Sequence, residues 1–329
     1  MTLSVPAEWS PHRAIWVGFP SHAELWEADL APAQAETAAL ARALAVAGGE
    51  RVRLMVCGEV AACAARRLCG EAVEITPGRF GDVWLRDTAP IFLGPSAAGF
   101  RFNGWGGKYI LDGDETVAEQ TAGAAGVPLE RCDFVLEGGA LDHDGEGTAL
   151  TTRECLLNPN RNRGWTEAIA ETELRRTLGV RKVIWLDRGL LNDHTDGHVD
   201  NLARFVAPGV VAIPIAFGED DPHAAVYEVA ARALAGATDA AGRVLRVMRI
   251  PSPGKVILPG ERLAAPASHM NFVIANRAVV APTYDARRGA MALEALSSLF
   301  PDRQVIGLPS RALLTGGGSF HCITQQEPA

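Results

Sequence analysis

A cysteine stands seven positions from the C-terminus, in the run Gly316-Gly317-Gly318-Ser319-Phe320-His321-Cys322-Ile323-Thr324-Gln325-Gln326. Glycines such as Gly317 let a backbone approach a ligand closely and take up positive φ at no steric cost. A thiol that follows such a run reads as a presented nucleophile, provided a histidine and orienting acids can reach it. The alternative is a buried cysteine of a last strand, since free cysteine is among the most buried residue types. His198 and Asp200 are two positions apart and share a face if they lie on a strand. With His194 and Asp196 in the same run, they also allow a site for Mn²⁺ or Zn²⁺. Asp87 follows Trp84 and Arg86, and Glu137 precedes two glycines after an apolar run. Singly, each acid reads as structural; a surface Arg86–Asp87 pair, for instance, would contribute little.

Together these residues point to one chemistry. Carboxylates, a histidine and a thiol without an evident oxyanion device fit acyl transfer poorly, because acyl transfer needs donors aimed at a developing oxyanion. They suit an electrophile that is itself cationic. A guanidinium offers a planar fork of N–H donors that carboxylates grip with charge-assisted strength and fixed orientation. Its central carbon is then open to a thiolate. Acids beside Cys322 should hold its thiol protonated in the free protein, and a bound cation should reverse that.

The elements that must carry these residues recur. A helix-patterned stretch followed by a short apolar strand occurs five times: 32–47 then 52–56, 114–125 then 127–136, 164–178 then 182–186, 223–236 then 244–248, and 288–299 then 303–307. An extra helix is expected near 59–69. After each strand comes a polar segment, containing in turn Asp87, Glu137, His198 with Asp200, the run Ser268-His269-Met270-Asn271-Phe272, and Cys322. The regular spacing predicts an α/β fold of repeated units around a central site, rather than an open doubly wound sheet. Neither a Gly-x-Gly-x-x-Gly fingerprint nor a Walker-type loop is present, so a nucleotide fold has no support.

Composition narrows the class. The 329 residues are 48% hydrophobic and 21% charged, near globular averages, and can bury a substantial core without staples. The 31 basic and 39 acidic residues give a formal charge of −8, with no Lys/Arg cluster, which argues against a nucleic-acid partner. No leader pattern and no run of about 18–20 apolar residues appears, so no membrane partner is expected and the chain reads as cytoplasmic. The six cysteines form no Cys-x-x-Cys pair, so a structural zinc site is not expected and the other five read as core residues.

Five segments resemble those of the agmatine deiminases, in the family that also holds the bacterial peptidyl-arginine deiminases. They are Trp84-Leu85-Arg86-Asp87-Thr88-Ala89-Pro90; Glu137-Gly138-Gly139 with Asp144-Gly145-Glu146-Gly147-Thr148; Cys155-Leu156-Leu157-Asn158-Pro159-Asn160-Arg161-Asn162; Thr195-Asp196-Gly197-His198-Val199-Asp200-Asn201; and His321-Cys322-Ile323-Thr324-Gln325-Gln326. The resemblance runs in order from about Glu8 to the last residue. It implies a five-bladed α/β propeller (the pentein fold), one domain over 1–329, and conversion of agmatine to N-carbamoylputrescine and ammonia. Residue by residue it implies Cys322 as nucleophile and His198 as general acid and base. Asp87 and Asp200 would hold the guanidinium, while Glu137 and Trp84 line the pocket. It implies a small cationic guanidino substrate, no metal and no organic cofactor, and is compatible with a homodimer.

Departures concentrate at the substrate's tail. His194 stands where the family usually carries an acid, with Asp193 beside it as a substitute. Phe19-Pro20 replaces Trp-Pro, His269 replaces a tyrosine, and 251–265 is short, which suggests a trimmed loop at the pocket mouth. Three alternatives stay open at this point: a deiminase of peptidyl-arginine or another guanidino-alkane, a metal-dependent guanidine hydrolase using the 194–200 run, and a guanidine-binding protein without turnover.

Overall fold

The computed structural model describes residues 4–329. Its strands fall into five small sheets built on one plan. The first holds β1 (His12–Gly18), β2 (Val52–Val56) and β3 (Glu74–Pro77), joined by α1 (Leu30–Val46) and α2 (Glu59–Cys69). The second holds β4 (Ile91–Phe92), β5 (Ala97–Arg101) and β6 (Leu129–Val135), with α3 (Val117–Ala125) crossing between β5 and β6. The third holds β7 (Asp142–His143), β8 (Thr148–Thr152) and β9 (Lys182–Leu186), with α4 (Glu167–Leu178). The fourth holds β10 (Arg204–Ala207), β11 (Val210–Ile215) and β12 (Arg246–Pro251), with α5 (Ala224–Leu234). The fifth holds β13 (Val273–Ile274), β14 (Ala278–Thr283) and β15 (Gln304–Pro309), with α6 (Ala286–Leu299).

In sheets two to five a short strand pairs antiparallel with the middle strand, which pairs in parallel with the outer one. Parallel pairing needs a crossover, and the amphipathic helices supply it. Local chemistry sets their ends. Thr166 accepts from the N–H of Ile169 and Asp285 from that of Arg288 as N-caps, while left-handed Gly126 and Gly179 stop α3 and α4. The middle strands are buried throughout in β8 and almost throughout in β11 and β14, which are covered on both faces. The expected helix–strand cassettes are all present, with boundaries moved by a few residues. Among the described residues no helix is long and apolar enough to cross a membrane.

The first sheet takes its antiparallel strand from the other end of the chain. β16 (Thr324–Pro328) pairs with β1, from His12 opposite Pro328 to Val17 opposite Thr324. All five residues of β16 are buried although three are Gln325, Gln326 and Glu327. Their polar atoms are used. Glu327 accepts from Arg13 Nε at 2.5 Å, Arg53 Nη1 at 3.1 Å and Trp16 Nε1 at 3.3 Å. The Gln325 and Gln326 amide oxygens accept from Arg86 Nη1 at 2.7 and 2.8 Å. Chain ends usually fray; this one is bonded into the core with Cys322 just before it.

A buried acid that loses its partners' match leaves uncompensated cations, so Glu327→Ala should cost about 3 kcal/mol. Urea unfolding of the two proteins measures this, and a loss under about 0.5 kcal/mol, the range of an ordinary surface substitution, would show that ring closure does not depend on the contact.

Candidate active site

The polar segments that precede β4, β7, β10, β13 and β16 meet at the centre of the five sheets. A cavity of about 350 Å³ opens onto them. Asp87 and Cys322 are on its wall, together with Trp26, Asp82, Trp84, Trp105, Tyr109, His194 and the glycines 316–318. The helical turn Leu85–Thr88 is pinned to the C-terminal segment, because the Arg86 N–H donates to the Cys322 carbonyl at 3.0 Å.

Gly139 marks where the reactive groups converge. A Cβ there would lie 2.5 Å from His198 Nδ1, 3.0 Å from Asp87 Oδ1 and 3.2 Å from Asp200 Oδ2. Three candidate side chains from two segments therefore crowd around one bare α-carbon, where an added Cβ would force the His198 ring to move. The Gly139 N–H donates to Asp87 Oδ1 at 2.9 Å, Trp105 Nε1 donates to Asp87 Oδ2 at 2.9 Å, and His198 Nδ1 lies 3.7 Å from Asp87 Oδ1. Trp105 reaches Asp87 from a left-handed backbone, φ 53°, within a glycine-flanked turn.

The Cys322 sulfur is 3.2 Å from Asn271 Nδ2 and 3.8 Å from Asp200 Oδ2. Asn271 also holds the backbone here, since its Oδ1 accepts from the N–H groups of His321 at 2.9 Å and Cys322 at 3.3 Å. Asp200 Oδ2 accepts from His321 Nδ1 at 2.8 Å, while Asp200 Oδ1 is buried with no partner. His321 Nε2 reaches Glu8 at 3.2 Å, and Glu8 pairs with Arg204, whose Nε bonds Asp142 at 2.5 Å. This buried chain links Asp200 to Asp142 through His321, Glu8 and Arg204.

Electrostatics set the protonation states. Burial pushes the Cys322 thiol well above its ordinary range, and the Asp200 and Asp87 charges push it further. Burial opposes a charge on His198, but Asp87 and the groups around Cys155 and Glu137 outweigh it and hold the imidazole protonated well above its usual range. Burial alone would raise Asp200, yet His321 outweighs it and keeps that carboxyl below the ordinary value. Burial raises Asp87, with the His198 charge partly offsetting it. The resting pair is thus a neutral thiol and an imidazolium beside carboxylates.

The outer cavity is aromatic. Trp26 and Trp84 lie 6.1 Å apart and both donate their indole N–H to Asp82, at 3.0 and 2.6 Å. Burial raises Asp82 to about 6 despite those bonds. His194 stacks on Tyr109 at 5.8 Å, and its Nδ1 is 3.0 Å from the Tyr109 hydroxyl.

Trp84, Asp87, His194, Gly317 and Cys322 therefore line the cavity as the sequence suggests, and His198 and Asp200 pack against its floor. Several expectations need correction. Val199–Asn201 is a 3₁₀ turn, not a strand, so His198 and Asp200 converge through the turn rather than through a shared strand face. Glu137 is not on the cavity wall; Arg161 Nε holds it at 2.6 Å behind His198. Asp193 is also off the wall, because its Oδ1 caps the N–H and hydroxyl of Thr195 at 2.9 and 2.6 Å. The 194–200 run does not gather into a metal site: His194 stacks outward, Asp196 pairs with Lys108 and Arg161, and Asp200 bonds His321. No residue of 251–265 lines the cavity either; that segment bonds Asn192 and Arg311 instead. Asn271, Trp105 and Glu8 were not singled out individually. The polar segment at 268–272 and the glycine-flanked Trp105 were the available signals.

The five-sheet plan is shared with DDAH from Pseudomonas aeruginosa, at a TM-score of 0.55 and 13% identity over 96% of this chain and 99% of that one, a likeness of fold alone. The chain is thus a pentein-type α/β propeller. Within that class it belongs to the Porphyromonas-type peptidyl-arginine deiminase family, whose pattern it matches over residues 4–328, and so is a hydrolase of amidine C–N bonds. Agmatine deiminase from Stutzerimonas stutzeri is 39% identical over 360 residues, covering 99% of this chain and 95% of that protein. The structure of agmatine deiminase from Enterococcus faecalis matches at a TM-score of 0.93 and 31% identity, over 99% of this chain and 96% of that one.

Gly139→Ala should leave the fold intact yet push the His198 ring aside, lowering kcat/KM by at least about 100-fold, as about 3 kcal/mol of lost alignment would. Steady-state kinetics beside a thermal melt checks this, and near-normal turnover would show that the convergence is not needed. His321→Asn should weaken the hold on Asp200 and raise KM for a guanidine more than it lowers kcat. Equal loss in both would instead indicate a general structural role.

Proposed function

We propose that the chain hydrolyses agmatine to N-carbamoylputrescine and ammonia through an amidino-cysteine on Cys322. The Oδ1 of Asp200, buried and without a partner among the described residues, on a carboxyl whose Oδ2 lies 3.8 Å from the Cys322 sulfur, carries this reading. An unsatisfied buried carboxylate oxygen is costly unless a ligand donates to it, and a guanidinium brings the N–H donors required.

In this reading Asp87 and Asp200 hold the guanidinium flat against Cys322. Its positive charge offsets the two carboxylates that keep the thiol protonated, so the thiol gives its proton to solvent as substrate binds. The thiolate attacks the guanidinium carbon and forms the C–S bond. The His198 imidazolium gives its proton to the leaving nitrogen, the C–N bond breaks and ammonia departs. Neutral His198 then takes a proton from water, whose oxygen attacks the amidino carbon. The C–S bond breaks, the hydroxyl proton passes to the departing thiolate, and the carbonyl of the ureido product forms. Glu137 acts through His198, fixing the ring from behind.

The tail reading rests on the cavity wall. Its described residues include Glu27, Asp29, Asp82 and Asp87 but neither Lys nor Arg, which favours a second positive charge on the substrate. The Trp26, Trp84 and Trp105 rings offer surface for methylenes and for a cation. His194 is engaged by Tyr109, which leaves Asp82, between two indoles, as the inner carboxylate for the distal ammonium.

Ammonia release should be measured across agmatine, arginine, peptidyl-arginine and guanidino-alkanes with uncharged tails. Agmatine should give the highest kcat/KM, and Cys322→Ala should abolish release from all; release above background in that variant sinks the mechanism. Asp82→Asn should raise KM for agmatine about 10- to 100-fold, the worth of a charged hydrogen bond, with a smaller effect on uncharged-tail guanidines. Thiol alkylation of the free enzyme should rise with pH through an inflection above that of an ordinary cysteine, and a non-reactive guanidinium, read by an agent small enough to enter beside it, should move the inflection down. An unmoved inflection would remove the substrate-assisted step.

A further inference from the structure

Glu137, Cys155 and His198 come from three segments, yet their potential ligand atoms all lie within 4.8 Å of one another. Each is buried, Cys155 completely. His198 Nε2 is enclosed and has no hydrogen-bond partner among the described residues. The assembly is braced from both sides. Thr152 caps the turn that carries Cys155, accepting from its N–H at 3.3 Å, and donates its hydroxyl to the Gly197 carbonyl at 2.7 Å, next to His198. Arg161 Nε fixes one oxygen of Glu137 at 2.6 Å, leaving the other oxygen uncommitted. Arg161 is in turn held by Asp196 at 2.6 Å and by the Thr195 carbonyl at 2.8 Å.

We propose that Glu137, Cys155 and His198 form an inhibitory binding site for a thiophilic divalent cation of the Zn²⁺ type, behind the catalytic imidazole. One thiolate, one imidazole and one carboxylate are the donor types this ion takes, at about 2.0–2.3 Å from the metal. Tetrahedral geometry at those lengths puts neighbouring ligand atoms about 3.3–3.6 Å apart, so a small inward shift of the three side chains completes the site. The ligand carboxylate already has the outer-sphere partner that metal-binding acids require. On binding, the Cys155 S–H and the His198 Nε2–H each pass a proton to solvent, and one divalent ion replaces the two protons. The charge buried at the site is unchanged by that exchange. While the ion is held, His198 is fixed as a ligand and is neutral, and its remaining Nδ1–H is a far weaker acid than the imidazolium that must protonate the leaving ammonia. The nucleophile Cys322 takes no part.

The inhibitory consequence rests on the deiminase reading; the binding itself does not. The test therefore reads binding without turnover. Cys322→Ala protein is titrated with Co²⁺, followed by the near-ultraviolet thiolate-to-cobalt absorption. One equivalent per chain should produce the band, and adding Cys155→Ser to that background should abolish it. Glu137→Gln in the same background should weaken the titration at least tenfold, which keeps the test decisive should Cys155→Ser fail to fold. In the unsubstituted enzyme, Zn²⁺ pre-incubation should stop ammonia release and EDTA should restore it. Absence of the thiolate band at millimolar Co²⁺, or a band that survives Cys155→Ser, overturns the site. An enzyme that binds Co²⁺ as described but never releases ammonia would overturn the proposed function and leave the site standing.

Discussion

Much of the molecule depends on one buried electrostatic chain, Asp200–His321–Glu8–Arg204–Asp142. Burying five ionisable groups costs several kcal/mol per ion unless each is matched and hydrogen-bonded. Here each neighbour is of opposite character, and Arg204 also donates to the Met270 and Phe272 carbonyls at 3.1 and 3.0 Å. The members come from the segment before β1 and from the third, fourth and closing parts of the ring. Sheets that share little backbone bonding with one another are thereby registered at a single point. The end member, Asp200, also lies 3.8 Å from the Cys322 sulfur, so the same chain that links the sheets fixes a carboxylate beside that thiol.

The site is built to be incomplete without its ligand. Two carboxylates face a thiol they keep protonated, and an imidazolium stands beside them without a full partner for its far nitrogen. Every backbone and side-chain brace around that cluster is satisfied, from Trp105 on Asp87 to Asn271 on the Cys322 backbone. Within the cluster, Asp200 Oδ1 is the carboxylate oxygen left without a partner among the described residues. Preorganisation of this kind places the electrostatic cost in folding, so that little reorganisation is left for the reaction itself.

The sequence displayed the repeating units well because each helix and the strand that follows it carry their own periodicity. It displayed Cys322, His198, Asp87 and Asp200 because each sits in a polar segment between apolar ones. The structure brings His198 and Asp200 together by a different route, through a 3₁₀ turn rather than a strand face. Asp193 as an acid for the substrate's tail and the 194–200 run as a metal cluster are plausible from residue types, but their side chains are spent on a local cap, an ion pair and a stacking contact. Glu8, Asn271 and Arg161 act on partners far along the chain, Glu8 on Arg204 196 residues away, and no local spacing announces such a pairing. The same limit hid Cys155, which reads as one more core cysteine until its neighbours are known.

The pairing of β16 with β1 has a consequence in time. His12 waits for Pro328, so the first sheet keeps an open edge until β16 is made, and Cys322, just before β16, arrives with it. Contacts of such long sequence separation form late and slowly. An exposed edge strand in the interval is a template for pairing with another chain. A polypeptide that lacks β16 is therefore left with an open first sheet and is prone to associate.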